Sequence, residues 1–334
     1  MGSSQYLPIT GTFLDEISHD IPNFNWGEEE WDREFAAMKR TGIDMATVIR
    51  CGSARWTMYP SAVLEKEMNA HRPPIDLMDI YMRMGEKHGI KVWVGTYFSW
   101  HDWLSAAYDV QKECDLMKRV CDEIFERYGK SPAFGGWYLS QEIAGSVSFN
   151  VVKCFRIVGE HCHRISGLPT FISPGIRGCN TGIAATPSEA MRRRLAVTPE
   201  EHEKEWDWIM GEIEGAVDIV CFQNAHVALE QMPEFMEINN NLARRHHLHS
   251  WANLETFDIQ LRPLPPIKLQ HLLMKMEAAK KVGFEKGLTF EFSHFMSPNS
   301  EYGAARNLHK LYCKFMDIND RKTKRICQYV RIAF

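Results

Sequence analysis

Short runs rich in β-branched and aromatic residues alternate along the chain with longer stretches whose apolar positions recur every three or four residues. The short runs predict strands at Leu7–Leu14, Met45–Arg50, Lys91–Phe98, Gly135–Leu139, Pro169–Ser173, Asp218–Gln223, Ser250–Leu254 and Leu288–Phe292. The longer stretches predict helices at Glu28–Thr41, Ile75–His88, Val110–Tyr128 and Asn150–Ser166. A fifth opens at Thr198-Pro199-Glu200-Glu201, an N-cap followed by a first-turn proline and two acids, and others lie near Pro233–Arg245, Ile267–Val282 and Gly303–Met316. A helix–Gly–strand rhythm recurs at Thr41-Gly42-Ile43, His88-Gly89-Ile90, Ser166-Gly167-Leu168 and Val282-Gly283-Phe284, because glycine accepts the left-handed conformation that ends a helix.

Strand then helix, eight times over, predicts a parallel sheet, and eight units favour closure into a single-domain (β/α)8 TIM barrel. An open doubly wound sheet would carry a Gly-rich phosphate loop after its first strand, where this chain has Asp15-Glu16-Ile17-Ser18. The barrel is expected over residues 1–318, with a tail at 319–334 whose basic stretch Arg321-Lys322-Thr323-Lys324-Arg325 reads as a solvated end. The long connections around Cys51–Pro74 and Gly175–Ala196 read as loops that shape a site.

Composition narrows the function. With 45% hydrophobic and 25% charged residues in 334, the chain is ordinary globular protein. A formal charge of −4, with no long run of Lys and Arg before the tail, excludes a nucleic-acid footprint. No apolar run spans a bilayer, and the start lacks a basic segment followed by an apolar one, so no membrane partner and a cytoplasmic location are expected. Nine scattered cysteines, an odd number in mostly apolar contexts, read as buried thiols.

Chemistry in such a barrel lies at the C-terminal ends of the strands. That rule collects Asp15 and Glu16 after strand one, Arg50 on strand two, and Tyr97 and Ser99 on strand three. Strand four contributes Gln141 and Glu142, strand five Ser173, and strand six Gln223, Asn224 and His226. Strand seven contributes Asn253 and Glu255, and strand eight Glu291, Ser293 and His294. Arg50 reads equally as the partner of a rim carboxylate or as a substrate contact. Trp56, Trp100 and Trp103 follow strands two and three, where an indole face can stack on the C–H face of a sugar. Trp206 and Trp208, on the fifth helix, read as core.

No His-Glu-x-x-His or Cys-x-x-Cys pair occurs, so neither a metal nor another cofactor is expected. His161 and His163, two apart on a helix, face different ways, and His246-His247-Leu248-His249 lies at the bottom of the barrel. The absence of a Gly-x-Ser-x-Gly elbow argues against a serine hydrolase.

Two segments remain, Phe134-Gly135-Gly136-Trp137-Tyr138-Leu139-Ser140-Gln141-Glu142 and Trp251-Ala252-Asn253-Leu254-Glu255. Each runs from an apolar strand into a glutamate at the barrel mouth, and glycosidic cleavage needs two carboxyl groups. This arrangement resembles the large clan of retaining (β/α)8 glycoside hydrolases that includes β-galactosidases, cellulases and β-mannanases. The opening Ile9-Thr10-Gly11-Thr12-Phe13-Leu14-Asp15-Glu16 and the strand-four segment are more closely similar to a bacterial family of glycosidase-like barrels of unassigned activity. The resemblance implies a carbohydrate substrate, Glu142 as acid/base, Glu255 as nucleophile, and retention through a covalent glycosyl-enzyme. The clan carries Asn immediately before its acid/base, where this chain has Gln141. Glu291 is the rival third carboxylate, and pairs that use Glu16 or Glu291 stay open. Two other functions stand beside hydrolysis: a metal-dependent sugar isomerase, epimerase or lyase, with Glu142, Glu255, Glu291 and a histidine around the ion, and a barrel that binds carbohydrate without turning it over.

Overall fold

A computed structural model describes residues 5–18, 21–99, 108–145, 149–181, 188, 190, 194–260 and 264–318. Eight strands form the barrel: β1 Ile9–Leu14, β2 Met45–Val48, β3 Lys91–Gly95, β4 Phe134–Tyr138, β5 Thr170–Ile172, β6 Ile219–Gln223, β7 His249–Asn253 and β8 Lys286–Thr289. Each pairs in parallel with its neighbour in sequence, and β1 pairs with β8 to close the sheet on itself. The expected barrel is therefore the observed one.

The helices are α1 Glu28–Thr41, α2 Ala62–Met68, α3 Leu77–His88, α4 Val110–Tyr128, α5 Phe149–Ser166, α6 Pro199–Ile213, α7 Met232–Arg245, α8 Leu269–Val282, α9 Phe292–Phe295 and α10 Gly303–Phe315. Among the described residues none is long and apolar enough to cross a membrane. Thr198 caps α6 with its hydroxyl on the Glu201 amide, and φ is positive at Gly42, Gly89, Gly167 and Gly283 as the helix–Gly–strand rhythm requires.

Three expectations need correction. Strand eight runs over Lys286–Thr289 rather than Leu288–Phe292, because Glu291 leaves the sheet to cap α9 through the amides of Ser293 and His294. Strand two stops at Val48, and the chain then turns through a small hairpin that pairs Gly52–Ser53 with Trp56–Thr57. Trp206 is fully buried as expected, but Trp208 is 45% exposed, since residues two apart on a helix point in different directions. Of the described cysteines only Cys179 is exposed, and the tail at 319–334 lies outside the described residues.

Two apolar layers hold the barrel. Inside it, Phe13, Trp93, Tyr138 and Phe171 pack with Trp251 and Leu288, and ring centroids lie 4.7 Å apart for Tyr138–Phe171 and 5.8 Å for Trp93–Trp251. Outside it, Trp31, Phe35, Trp137, Phe155 and Trp206 fill the space between strands and helices. Burial of each such side chain contributes roughly 1.5–3 kcal/mol. The β2–β3 contact is especially close at Gly95, where a Cβ would lie 2.3 Å from the Ile49 carbonyl oxygen and 2.4 Å from that of Val48. Near the closure seam, the wholly buried Glu34 of α1 accepts hydrogen bonds from Ser297 Oγ at 2.7 Å and Asn299 Nδ2 at 2.8 Å, and so pins the loop after α9. Burial pushes its pKa up to about 7.

Both features predict measurable changes. Gly95→Ala forces two strands apart and should lower stability by about 3 kcal/mol; an unchanged denaturation midpoint would show that the sheet yields there without cost. Glu34 keeps its proton in the folded chain at pH values where the unfolded chain has lost it. Stability from this group is therefore full below about pH 4.5 and declines as pH rises to about 7, by roughly 3 kcal/mol. Glu34→Gln should flatten that decline in urea unfolding between about pH 5 and pH 8, and an unaltered slope would assign the titration to another group.

Candidate active site

The chain leaving β4 is fixed before it reaches Glu142. Ser140 donates from its amide to Thr96 Oγ1 at 3.1 Å and from its hydroxyl to the Ile49 carbonyl at 2.7 Å. Glu142 then emerges at the mouth with its side chain 31% exposed. The Tyr138 hydroxyl donates to one carboxylate oxygen at 3.2 Å, and Arg50 pairs with the other at 3.3 Å. Burial, followed by the nearby Glu142 charge, holds the Tyr138 phenol far above its ordinary pKa, so it serves as a donor. Arg50 in turn donates to Ser18 Oγ at 2.5 Å and sits 5.1 Å from the centre of the Phe98 ring. Asp15 accepts from the amides of Ile17 at 3.2 Å and Ser18 at 2.9 Å, which shapes the turn that presents Ser18. The loop after β1 is thereby tied through Arg50 to the end of β4.

Glu16 occupies the same loop, two residues before Ser18. Its carboxylate accepts from the Phe24 amide at 3.1 Å and forms part of a cavity of about 540 Å³ between the loops that follow β1 and β2. Burial pushes its pKa up to about 7, with Glu291 adding to the rise and the Phe24 bond and His294 opposing it. Beside it, Glu291 pairs with His294 Nδ1, and His294 Nε2 donates to the Pro22 carbonyl at 2.5 Å. Burial works against a charge on His294, yet Glu291 and the Pro22 carbonyl outweigh it and hold the imidazole above its usual pKa. The His294 ring also stacks on Phe24 at 3.8 Å, and Phe24 stacks on Trp26 at 4.0 Å.

Other rim residues tie the barrel to itself. Gln223 Nε2 donates to the Ser173 carbonyl at 2.8 Å, Asn224 Nδ2 to the Asn253 carbonyl at 2.8 Å, and Asn253 Oδ1 accepts from the Phe290 amide at 3.2 Å. The Tyr97 hydroxyl donates to the Ala54 carbonyl at 2.6 Å and so braces the hairpin. His161 and His163 bind separate partners, Asp122 and Asp218. Trp100 and Trp103 lie outside the described residues.

Two expected site residues are buried at the strand ends. Gln141 is buried, and its amide donates to the Met117 sulfur of α4 at 3.4 Å. Glu255 is 1% exposed and accepts from the amides of Asn224 at 3.2 Å and Ala225 at 3.1 Å. The buried ammonium of Lys275, from α8, lies 3.5 Å from its carboxylate. Burial depresses the Lys275 pKa, and Glu255 opposes that shift. The partners of Glu142, Glu255 and Glu291 thus include Arg50, Lys275 and His294 respectively. Ser18, Tyr138 and Lys275 were missed in the sequence. The first two lie within the strand-end segments already singled out, whereas nothing local marks Lys275, which reaches the rim from a helix.

The chain is similar to a Bacteroides thetaiotaomicron protein provisionally named an α-L-fucosidase, at 42% identity over 96% of both chains and a TM-score of 0.88. The catalytic domain of a Paenibacillus polymyxa β-amylase shares the fold at 10% identity, 93% and 98% coverage and a TM-score of 0.54. So does an intracellular xylanase from Thermoanaerobacterium saccharolyticum, at 12% identity, 85% coverage of each chain and a TM-score of 0.50. No curated protein matches the chain. Residues 9–302 match the family model described as Domain of unknown function (DUF4434), and the chain belongs to that family.

Proposed function

We propose that this protein is a glycoside hydrolase whose reacting carboxylate at the barrel mouth is Glu142. The observation that carries the reading is the setting of that carboxylate, partly exposed and oriented from two sides by Tyr138 and Arg50. The partner it needs is a carboxylic acid that still holds its proton near neutral pH. Glu16 meets that need, with a pKa of about 7 and a place on a cavity. In this reading Glu16 protonates the leaving oxygen, while Glu142 acts on the anomeric centre directly or through water. Arg50, bound to both Ser18 and Glu142, keeps the two loops in register. The similarity to a provisionally named α-L-fucosidase makes α-L-fucosides the first substrates to try.

A second reading keeps the clan assignment, with Glu142 as acid/base, Glu255 as nucleophile and retention of configuration. Its support is the position of Glu255 directly after β7. In it the anomeric carbon meets a carboxylate that is paired with Lys275 and held by the Asn224 and Ala225 amides.

Three variants separate the readings. Glu142→Gln should lower kcat on nitrophenyl α-L-fucoside by about three orders of magnitude without loss of fold; near-normal turnover removes Glu142 from the mechanism. Glu16→Gln should slow fucosyllactose about 10²–10⁴-fold and the nitrophenyl glycoside far less, because nitrophenolate departs without a proton. Wild-type activity should also decline above about pH 7 as Glu16 loses its proton, and the variant should lack that limb. Full activity in Glu16→Gln, an inactive but folded Glu255→Gln, and a first-formed product of retained configuration by NMR would together establish the second reading.

A further inference from the structure

The cavity that contains Glu16 has a feature the mechanism does not use. Trp56 stands on its rim, 53% exposed, in a segment that is held firmly. Its hairpin is tied down by the Ala54 amide on the Phe98 carbonyl at 2.8 Å, the Tyr97 hydroxyl on the Ala54 carbonyl at 2.6 Å, and the His71 amide on the Arg55 carbonyl at 2.7 Å. The His71 ring backs the indole at 4.7 Å. A large apolar ring held at the surface this way exposes area to water that burial elsewhere would have removed.

Asn23 and Asn25 also line the cavity and flank Phe24, whose ring is clamped between Trp26 and His294 and whose amide is bound by Glu16. Ile17 and Met58, both buried, add apolar surface to the lining. An aromatic face, amide groups and apolar side chains around one cavity match a pyranose ring, which offers C–H groups on its faces and hydroxyls at its edge. The volume of about 540 Å³ lies within the roughly 300–1,000 Å³ of small-ligand sites.

We propose that this cavity is the leaving-group subsite, and that the group it takes is itself a sugar stacked on Trp56. The inference rests on the reading in which Glu16 protonates the leaving oxygen, because the residue that donates to that oxygen is part of the cavity. The leaving portion of the substrate must then lie in it. The enzyme would accordingly act on an oligosaccharide in preference to a simple aryl glycoside.

The test compares fucosyllactose with nitrophenyl α-L-fucoside and uses lactose, the leaving group of the former, as a separate probe. Trp56→Ala should reduce the ratio of kcat/KM for fucosyllactose over the nitrophenyl glycoside about tenfold, chiefly through KM. The same variant should weaken lactose binding, followed by titration calorimetry, by a similar factor. Trp56→Phe, which keeps an aromatic face, should recover most of both, and Asn23→Ala in the same lining should shift the ratio in the same direction as Trp56→Ala. An unchanged ratio, or lactose binding untouched in both variants, overturns the subsite. Failure of the hydrolase reading looks different: the wild type cleaves neither glycoside while lactose still binds in a Trp56-dependent manner. Absence of lactose binding to the wild type overturns the subsite whatever the activity.

Discussion

The seam where β1 meets β8 is the constraint on which the rest of the molecule depends. It joins residues nearly 280 positions apart, with the Thr12 hydroxyl donating to the Thr289 carbonyl at 3.3 Å and accepting from the Phe292 amide at 2.9 Å. A parallel sheet left open here would expose two strand edges, and closure removes them. Closure also determines which groups become neighbours. Glu16 follows the first strand and Glu291 and His294 follow the last, so only the seam brings them within reach of one another. The stacked Trp26–Phe24–His294 wall is a product of that meeting, while the raised pKa of Glu16 comes mainly from its burial.

Carboxylates of the same type do different work around the mouth because their surroundings differ. Glu255 and Glu291 are both 1% exposed and are matched by a lysine and a histidine together with backbone amides. Buried charges persist in proteins when they are paired and hydrogen-bonded in this way. Glu34 is buried with hydroxyl and amide donors, and its burial raises its pKa. Glu142 is oriented by Arg50 and stays partly exposed, with its side chain at 31%. Arg50 therefore fills the first of its two expected roles, as the partner of a rim carboxylate.

Periodicity along the chain was sufficient for the architecture. Alternation of strand and helix signals, acidic first turns and glycine stops are local properties, and they located all eight strands and several helices to within a few residues. The expected strand eight starts two residues and ends three residues too late because Phe290-Glu291-Phe292 continues the apolar alternation, and only the capping of α9 shows that the sheet has ended. Trp208 was misjudged for a similar reason, since a tryptophan is apolar wherever it points.

The sequence by itself determined the barrel, and placed Glu142 and Arg50 at the strand ends. Each follows from spacing along one strand, which dictates where a side chain emerges. Tertiary structure alone decided what each rim group faces. Lys275 comes up from α8 to occupy Glu255, Met117 draws the Gln141 amide into the helix layer, and Ser18 links Arg50 to the loop that bears Glu16. These partners are far apart in the chain and carry no local signature, so carboxylates that end up in very different surroundings read identically until the fold closes around them.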